Sequence, residues 1–488
     1  MQKASKRKSL SRPSSLKKKR ARSGTQPKGN VCSKASTPSE SQRAQAGGFQ
    51  SVFMSHLDPA AIQTLSALRR HPAGAPARLL SRIELLILLT FHYTTHLPGA
   101  LSDHLLLFGI RMRASNLSER RQASPWEVFV ELMKLFLKPV ADVAKHAEGF
   151  YNGLRLVALD GTEFSLNNTK DINRKAKKRK SRRGKSAFAK LRCSVMVELI
   201  HHNPLAAEVA REGESEWVMS LRLLDRLPEK ALLLADRLYG CTAFLVEALK
   251  VLRQRGGHFL IRVRSQPKVL EVKRELWDGS RIVVVGVRNT RNRRLFTELI
   301  ELREIVVKAH RPGGRPVTVR LWTSLLDASA APALELAKLY MKRWEQELFF
   351  RELKHQMRTG ALLRSQTFET ACQEVASMLL GAAIVAGERA KLQAGQELGC
   401  TISFLKTWAY MEPLWAVFAV CGEIITDVQK KEMVKKFMEF ISQLRTPKRR
   451  ARSCPRVVRR PVQRWPRKMR QRERLGDIQM HIIPTSPK

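Results

Sequence analysis

The chain has 488 residues, 43% of them hydrophobic, with 89 Lys and Arg against 43 Asp and Glu, a formal net charge of +46. That apolar content excludes a wholly disordered chain, and the length suits roughly two to four domains. So basic a balance calls for a polyanion, nucleic acid before an acidic membrane surface.

The longest apolar runs, "LLILLTF" at 85–91 and "MLLGAAIVAG" at 378–387, fall short of the roughly 20 residues that span a bilayer. No membrane partner is expected. The basic N-terminus has no apolar segment behind it, so an intracellular protein without a secretory signal is expected. The seven cysteines are scattered and form no CxxC pair, which argues against a disulfide framework or a cysteine-ligated zinc.

Residues 1 to about 50 are rich in Lys, Arg, Ser, Pro and Gln and are expected to be a disordered basic tail; in a eukaryotic host the same run could serve as a nuclear address. Helical periodicity over 51–148, as in "SRIELLILLTFHYTTHL" and "PWEVFVELMKLFLKPVADVAKHA", predicts a helical N-terminal domain, with recognition of a specific DNA end as its candidate task. His92 and His96 stand four apart, but with no acidic companion they read as core or surface histidines rather than metal ligands.

From Leu154 the pattern changes. The strands "LRLVALDGTEFSL", "FAKLRCSVMVELI" and "LAAEVAR" are followed by a helix, the strand "ALLLADRLYG", a second helix and the strand "HFLIRVR". This order predicts a mixed α/β sheet over 149–370. A basic, strand-like stretch at about 266–321 reads as an all-β insertion, after which "VRLWTSLL" returns to the sheet and Pro332 opens a helix. Helices are expected over 371–445 and a basic, proline-broken tail over 446–488.

Asp160 and Asp236 each close an apolar strand, in "LVALDGT" and "LLLADRLYG". Either alone is more often a turn or cap residue. Two carboxylates at the ends of buried strands in one sheet are costly unless they share a cation. The helix "LYMKRWEQELFFRELKH" offers a third acid, Glu347, on a stripe with Tyr340, Arg343, Arg351 and Lys354. Three such acids can hold two Mg²⁺ ions about 3.5–4 Å apart for phosphoryl transfer. Arg343, Arg351 and Lys354 would face DNA, and Tyr340 would donate to a phosphate or stack. A stripe of this kind is ordinarily a solvated face; its place in this α/β order and this basic chain favours the chemical reading. The loop from Lys170 to Arg192 adds Lys177, Lys178, Arg179 and Lys180 as contacts to the DNA backbone.

These motifs resemble those of DDE transposases of the IS4 family. "LDGTEF" and "ADRLYG" match around the two Asp residues, and Tyr340, Arg343, Glu347 and Lys354 meet the family's Y-(2)-R-(3)-E-(6)-K signature without a gap. The resemblance covers about 150–370. It implies an RNase H-like catalytic domain with a β insertion, and Asp160, Asp236 and Glu347 as the catalytic, metal-binding triad. Arg343 and Lys354 would contact transposon-end DNA. It further implies two Mg²⁺ ions with Mn²⁺ as a substitute, double-stranded transposon-end and target DNA as partners, and a homodimer in the synaptic complex. The expected setting is the nucleoid in a bacterial cytoplasm. Some members hold a flipped base with a tryptophan; Trp322 and Trp277 are rivals for that place and neither is assigned, Trp322 reading better as core. Two other readings stay open: a DNA-binding regulator of the same fold that no longer cuts, and a structure-directed nuclease without strand transfer.

Overall fold

A computed structural model describes residues 48–67, 81–176, 178, 180–181, 184–210, 214–264, 267–288, 295–310, 316–357, 362–394, 402–422, 424–444 and 479–483. Nearly all of the expected N-terminal tail, Lys177, Arg179 and most of the C-terminal tail lie outside these residues.

The N-terminal helices are α1 (Phe49–Met54), α2 (Pro59–Ala67), α3 (Arg82–Thr94), α4 (Leu101–Leu107), α5 (Ala114–Gln122) and α6 (Trp126–Phe136). Ser81 and Glu84 start α3 by reciprocal bonds between side chain and backbone, and Pro125 opens α6. There follow β1 (Phe150–Tyr151), β2 (Leu154–Ser165), α7 (Lys170–Lys175), β3 (Lys180–Ser181), β4 (Gly184–Lys185), β5 (Lys190–Glu198), β6 (Asn203–Val209), α8 (Glu216–Leu224), β7 (Ala231–Ala235), α9 (Thr242–Gln254) and β8 (His258–Arg262).

Strands β6, β5 and β2 pair antiparallel, and β2, β7 and β8 pair parallel in that order. With helices on both faces this is an RNase H-like mixed sheet. The parallel strands are covered on both sides, which is why "LVAL" and "ALLLA" are continuous apolar runs rather than alternating ones. Val157, Leu159, Leu233 and Ala235 pack beneath α8 and α9. Leu156, Ala158, Leu232 and Leu234 face the opposite layer, where α10 (Ala333–Tyr340) lies.

The insertion is all β, with β9 (Glu271–Glu275), β10 (Arg281–Arg288), β11 (Phe296–His310) and β12 (Val317–Thr323). It extends the central sheet instead of forming a separate body: β12 pairs antiparallel with β8, and the order continues through β11 and β10 to β9.

After α10 come α11 (Trp344–Arg351), α12 (Phe368–Gln393), α13 (Phe404–Cys421) and α14 (Asp427–Ser442). The two helical regions that the sequence separates share one core. Phe49, Phe91 and Phe129 are buried with Leu379 and Ile384 of α12 and Trp408 and Trp415 of α13. Gly381 permits the close approach of α12 to α3, because a Cβ there would stand 1.9 Å from the Thr94 methyl carbon. By length and composition α12 could cross a membrane, but its most apolar window is 94% buried inside the fold. The C-terminal tail, expected to be basic and proline-broken, contributes β13 (Gln479–Ile482), paired with β11.

Candidate active site

The parallel ladder between β2 and β7 ends at the pair Leu159 and Ala235. Asp160 is the next residue of β2, and Asp236 is the first residue after β7. Because side chains alternate along a strand, both follow Ala158 and Leu234 onto the face that carries α10 and α11. Asp160 does not end its strand, contrary to the sequence reading. β2 runs on to Ser165 because its antiparallel pairing with β5 persists after β7 stops, and this opens an edge beside the acid. Asp160 Oδ1 accepts from the Gly161 amide at 2.8 Å, and Asp236 Oδ1 accepts from the Leu238 amide at 2.7 Å.

The helix that brings Glu347 is not one regular turn sequence. Met341–Arg343 forms a tight 3₁₀ turn between α10 and α11, and Glu352–Gln356 widens into a π turn after α11. These changes of winding break the expected single stripe. Tyr340 turns inward, only 8% exposed, and its hydroxyl donates to the Ala235 carbonyl at 3.1 Å, so it anchors the helix to the strand of Asp236 instead of facing a phosphate. Gln346, wholly buried, donates to the Val195 carbonyl at 2.8 Å, while Phe349 and Leu353 fill the core behind it. Glu347 is left exposed at the edge.

Arg343 joins the acids. Its guanidinium lies 3.4 Å from Asp160 Oδ2 and 3.8 Å from Glu347 Oε1. Lys354 stands over Phe164 and Phe350, 5.5 and 6.0 Å from the ring centroids, and Arg351 is exposed. A groove of about 650 Å³ runs past Gly161, Arg192, Glu216, Trp217, Glu347 and Lys354. A second, of about 510 Å³, is lined by Asp236, Arg237, Leu238 and Arg264, so Leu238 borders both. Lys178 and Lys180 belong to the loop between β2 and β5, with Lys180 in the short β3–β4 ribbon.

Burial, then the neighbouring Asp236, push the Asp160 carboxyl up to about 7, against the opposing pull of the Gly161 amide and Arg343. Among the described residues no group of three or more His, Cys, Asp or Glu side chains stands ready as a metal cage. The donor chemistry still fits a hard divalent cation: carboxylates crowd one edge, and one of them is driven toward its neutral form by burial and by its acidic neighbour.

Sequence reasoning passed over several residues that shape this edge. Glu216, at the first turn of α8, accepts from the Tyr239 hydroxyl at 2.9 Å. His202 lies between Glu352, at 2.5 Å, and Glu345, at 3.0 Å, on the far side of the Glu347 helix. A signal for Glu216 did exist, since a glycine inside a strand, here Gly161, often marks a close approach. Trp322 is core, its indole donating to Glu304 at 3.1 Å, and Trp277 is 73% exposed on the β9–β10 hairpin. His92 is buried against His104, and its pKa is lowered to about 3 by burial, then by His104; His96 pairs with Glu412.

A family model for the transposase DDE domain matches residues 151–382. Over 328 residues, 64% of this chain and 70% of the relative, the sequence is 25% identical to transposase InsG for insertion sequence element IS4 of Escherichia coli strain K12. The chain carries a transposase DDE domain and is similar to the IS4 family of DDE transposases. Among solved structures the chain aligns with piggyBac transposase in a synaptic complex with hairpin DNA at 9% identity, over 82% of this chain and 84% of that one, with a TM-score of 0.41. The matched domain starts at β1 and ends within α12, so it includes Asp160, Asp236 and Glu347.

Proposed function

We propose that this transposase binds the inverted-repeat ends of its own DNA element and cuts and joins strands there, with Asp160, Asp236 and Glu347 as the metal-holding carboxylates. The observation that carries the reading is the placing of Asp160 and Asp236 side by side past the end of a parallel ladder, on the face where Arg343 links Asp160 to Glu347. Transposases of this family generally use divalent metal ions. Here Mg²⁺, with Mn²⁺ as a substitute, would polarise the phosphodiester and activate a water or a 3′-hydroxyl.

The chain's own residues divide the remaining work. Asp160 and Asp236 are fixed by backbone amides and strand register, which holds them without side-chain search. Tyr340 and Gln346 tie the helix of Glu347 to strands β7 and β5, which flank β2 in the same sheet. Arg343 neutralises the acids before DNA arrives and is placed to meet a phosphate once cations take over that task. Lys354 borders the groove as a contact to the DNA backbone, and Arg351, exposed at the end of α11, is a second, with Lys177, Lys178, Arg179 and Lys180 as the further backbone contacts of this reading. The helices of 51–148 are the candidate reader of the end sequence, and a homodimer would pair two ends.

The test is cleavage of labelled DNA carrying the element's ends, in Mg²⁺ or EDTA, by wild type and by Glu347→Gln. Metal-dependent nicking at the end, lost in the variant while binding persists, is the expected outcome. Binding without cleavage by the wild-type protein overturns it and leaves a DNA-binding regulator.

A further inference from the structure

We infer that Glu216 is a fourth carboxylate of the ion-binding edge, an inference that rests on the function proposed above. Side-chain alternation puts Gly161 on the face of α8, opposite Asp160, and Glu216 comes down on it from the first turn of that helix. A Cβ at position 161 would lie 2.0 Å from Glu216 Cδ and 2.1 Å from Oε2. Glycine directly after Asp160 is therefore what admits this carboxylate to the edge. Because β7 has ended, no strand separates the two faces there, and Glu216 and Glu347 line one groove.

The orientation of Glu216 is held by a buried hydroxyl relay. Tyr239 donates to Glu216 Oε1 at 2.9 Å; Ser220 Oγ lies 3.1 Å from the Tyr239 oxygen, and Ser194 Oγ 2.7 Å from Ser220. Since Tyr239 gives its one proton to the carboxylate, Ser220 must donate to Tyr239 and Ser194 to Ser220. All three hydroxyls thus point toward an ionised Glu216, leaving Oε2 on the side of Gly161 and the groove. The charges facing it are Asp160, Asp236 and Arg192, and Arg192 is already paired with Glu163 at 3.1 Å. A carboxylate held in place against two others is an arrangement that a bound cation relieves.

The experiment titrates the full-length protein with Mn²⁺ alone, following free Mn²⁺ by electron paramagnetic resonance. Wild type, Asp236→Asn and Glu216→Gln are compared, with thermal unfolding in EDTA measured alongside. Glutamine retains the volume and an acceptor for Tyr239 while removing the charge. Mn²⁺ affinity about tenfold weaker in Glu216→Gln, with an unfolding midpoint in EDTA equal to or above that of wild type, is the expected result. Wild-type affinity in Glu216→Gln, with loss in Asp236→Asn, overturns the role of Glu216 and leaves the proposed function standing. Absence of Mn²⁺ binding to wild type overturns both. A lowered midpoint in EDTA, with Mn²⁺ binding reduced only in proportion to the unfolded fraction, makes Glu216 structural and also overturns the inference.

Discussion

Asp160 and Asp236 are register neighbours, one step beyond the Leu159 and Ala235 pair that closes the parallel ladder. Nothing in the backbone separates them, so in metal-free protein the two carboxylates compete. Asp160 gives way, its pKa raised from 3.8 to about 7 by burial, then by Asp236. An acid whose folded pKa exceeds its unfolded one contributes stability that is fully present below the unfolded value and lost as pH rises through the folded value. Between pH 4 and 7, metal-free wild type should therefore lose stability relative to Asp160→Asn, with little further change above that window. Urea unfolding in EDTA across this range checks it; parallel curves for the two proteins would remove the strain assigned to this pair.

Tyr340 belongs to the motif that suggested DNA contact, yet its hydroxyl is bonded to the Ala235 carbonyl. Tyr340→Phe should lower stability by about 1 kcal/mol, the net worth of one buried hydrogen bond, and leave affinity for end DNA unchanged. Calorimetry and a gel-shift titration separate the two effects. Weaker DNA binding at unchanged stability would return Tyr340 to the DNA face.

Gly161 tests the contact that brings Glu216 to the edge. Gly161→Ala sets a methyl group against the Glu216 carboxyl and should cost about 1–3 kcal/mol, as overpacking of a close site does. Adding Glu216→Ala should restore much of that loss, because the two residues touch and their effects cannot add. Denaturant midpoints of the two single variants and the pair complete the cycle; strict additivity would mean that the methyl group meets something else.

Much of this edge was legible in the sequence because it is written in local terms. Apolar runs ending in Asp160 and Asp236 announced buried strands, and Pro332 announced the helix of Glu347. Three features escaped because they depend on partners distant in sequence. Tyr340 looks exposed by helical spacing alone, and only the 3₁₀ turn at Met341–Arg343 and the Ala235 carbonyl show otherwise. The return of "VRLWTSLL" to the sheet was legible, but the basic stretch before it does not show that β11, β10 and β9 carry the same sheet on beyond β12. The N-terminal helices look like an independent domain because their apolar faces say nothing of the partner, which proves to be α12, some 230 residues or more downstream.

His202 is the clearest case of a partner hidden by distance, and it supplies a prediction about the Glu347 helix. It sits in the turn between β5 and β6 with φ of 52°, a left-handed conformation that a non-glycine residue keeps only when its surroundings require it. Its ring bridges Glu345 and Glu352, which bracket Glu347 in the chain. Burial opposes charge on the imidazole, but Glu352 and Glu345 outweigh it and raise the His202 pKa above its usual value. By linkage, a histidine raised in this way contributes stability that is fully present below pH 6.5 and fades as pH climbs through its folded value. His202→Ala strands the buried Glu352 without its partner and should cost about 3 kcal/mol below pH 6.5, with the gap to wild type narrowing at higher pH. The helix should also lose its bracing, so end cleavage should fall more than end binding. Urea unfolding at several pH values, together with cleavage and gel-shift measurements on the same protein, tests both parts. A gap independent of pH would mean that the ring packs without carrying charge, and equal losses in binding and cleavage would mean that it does not position Glu347.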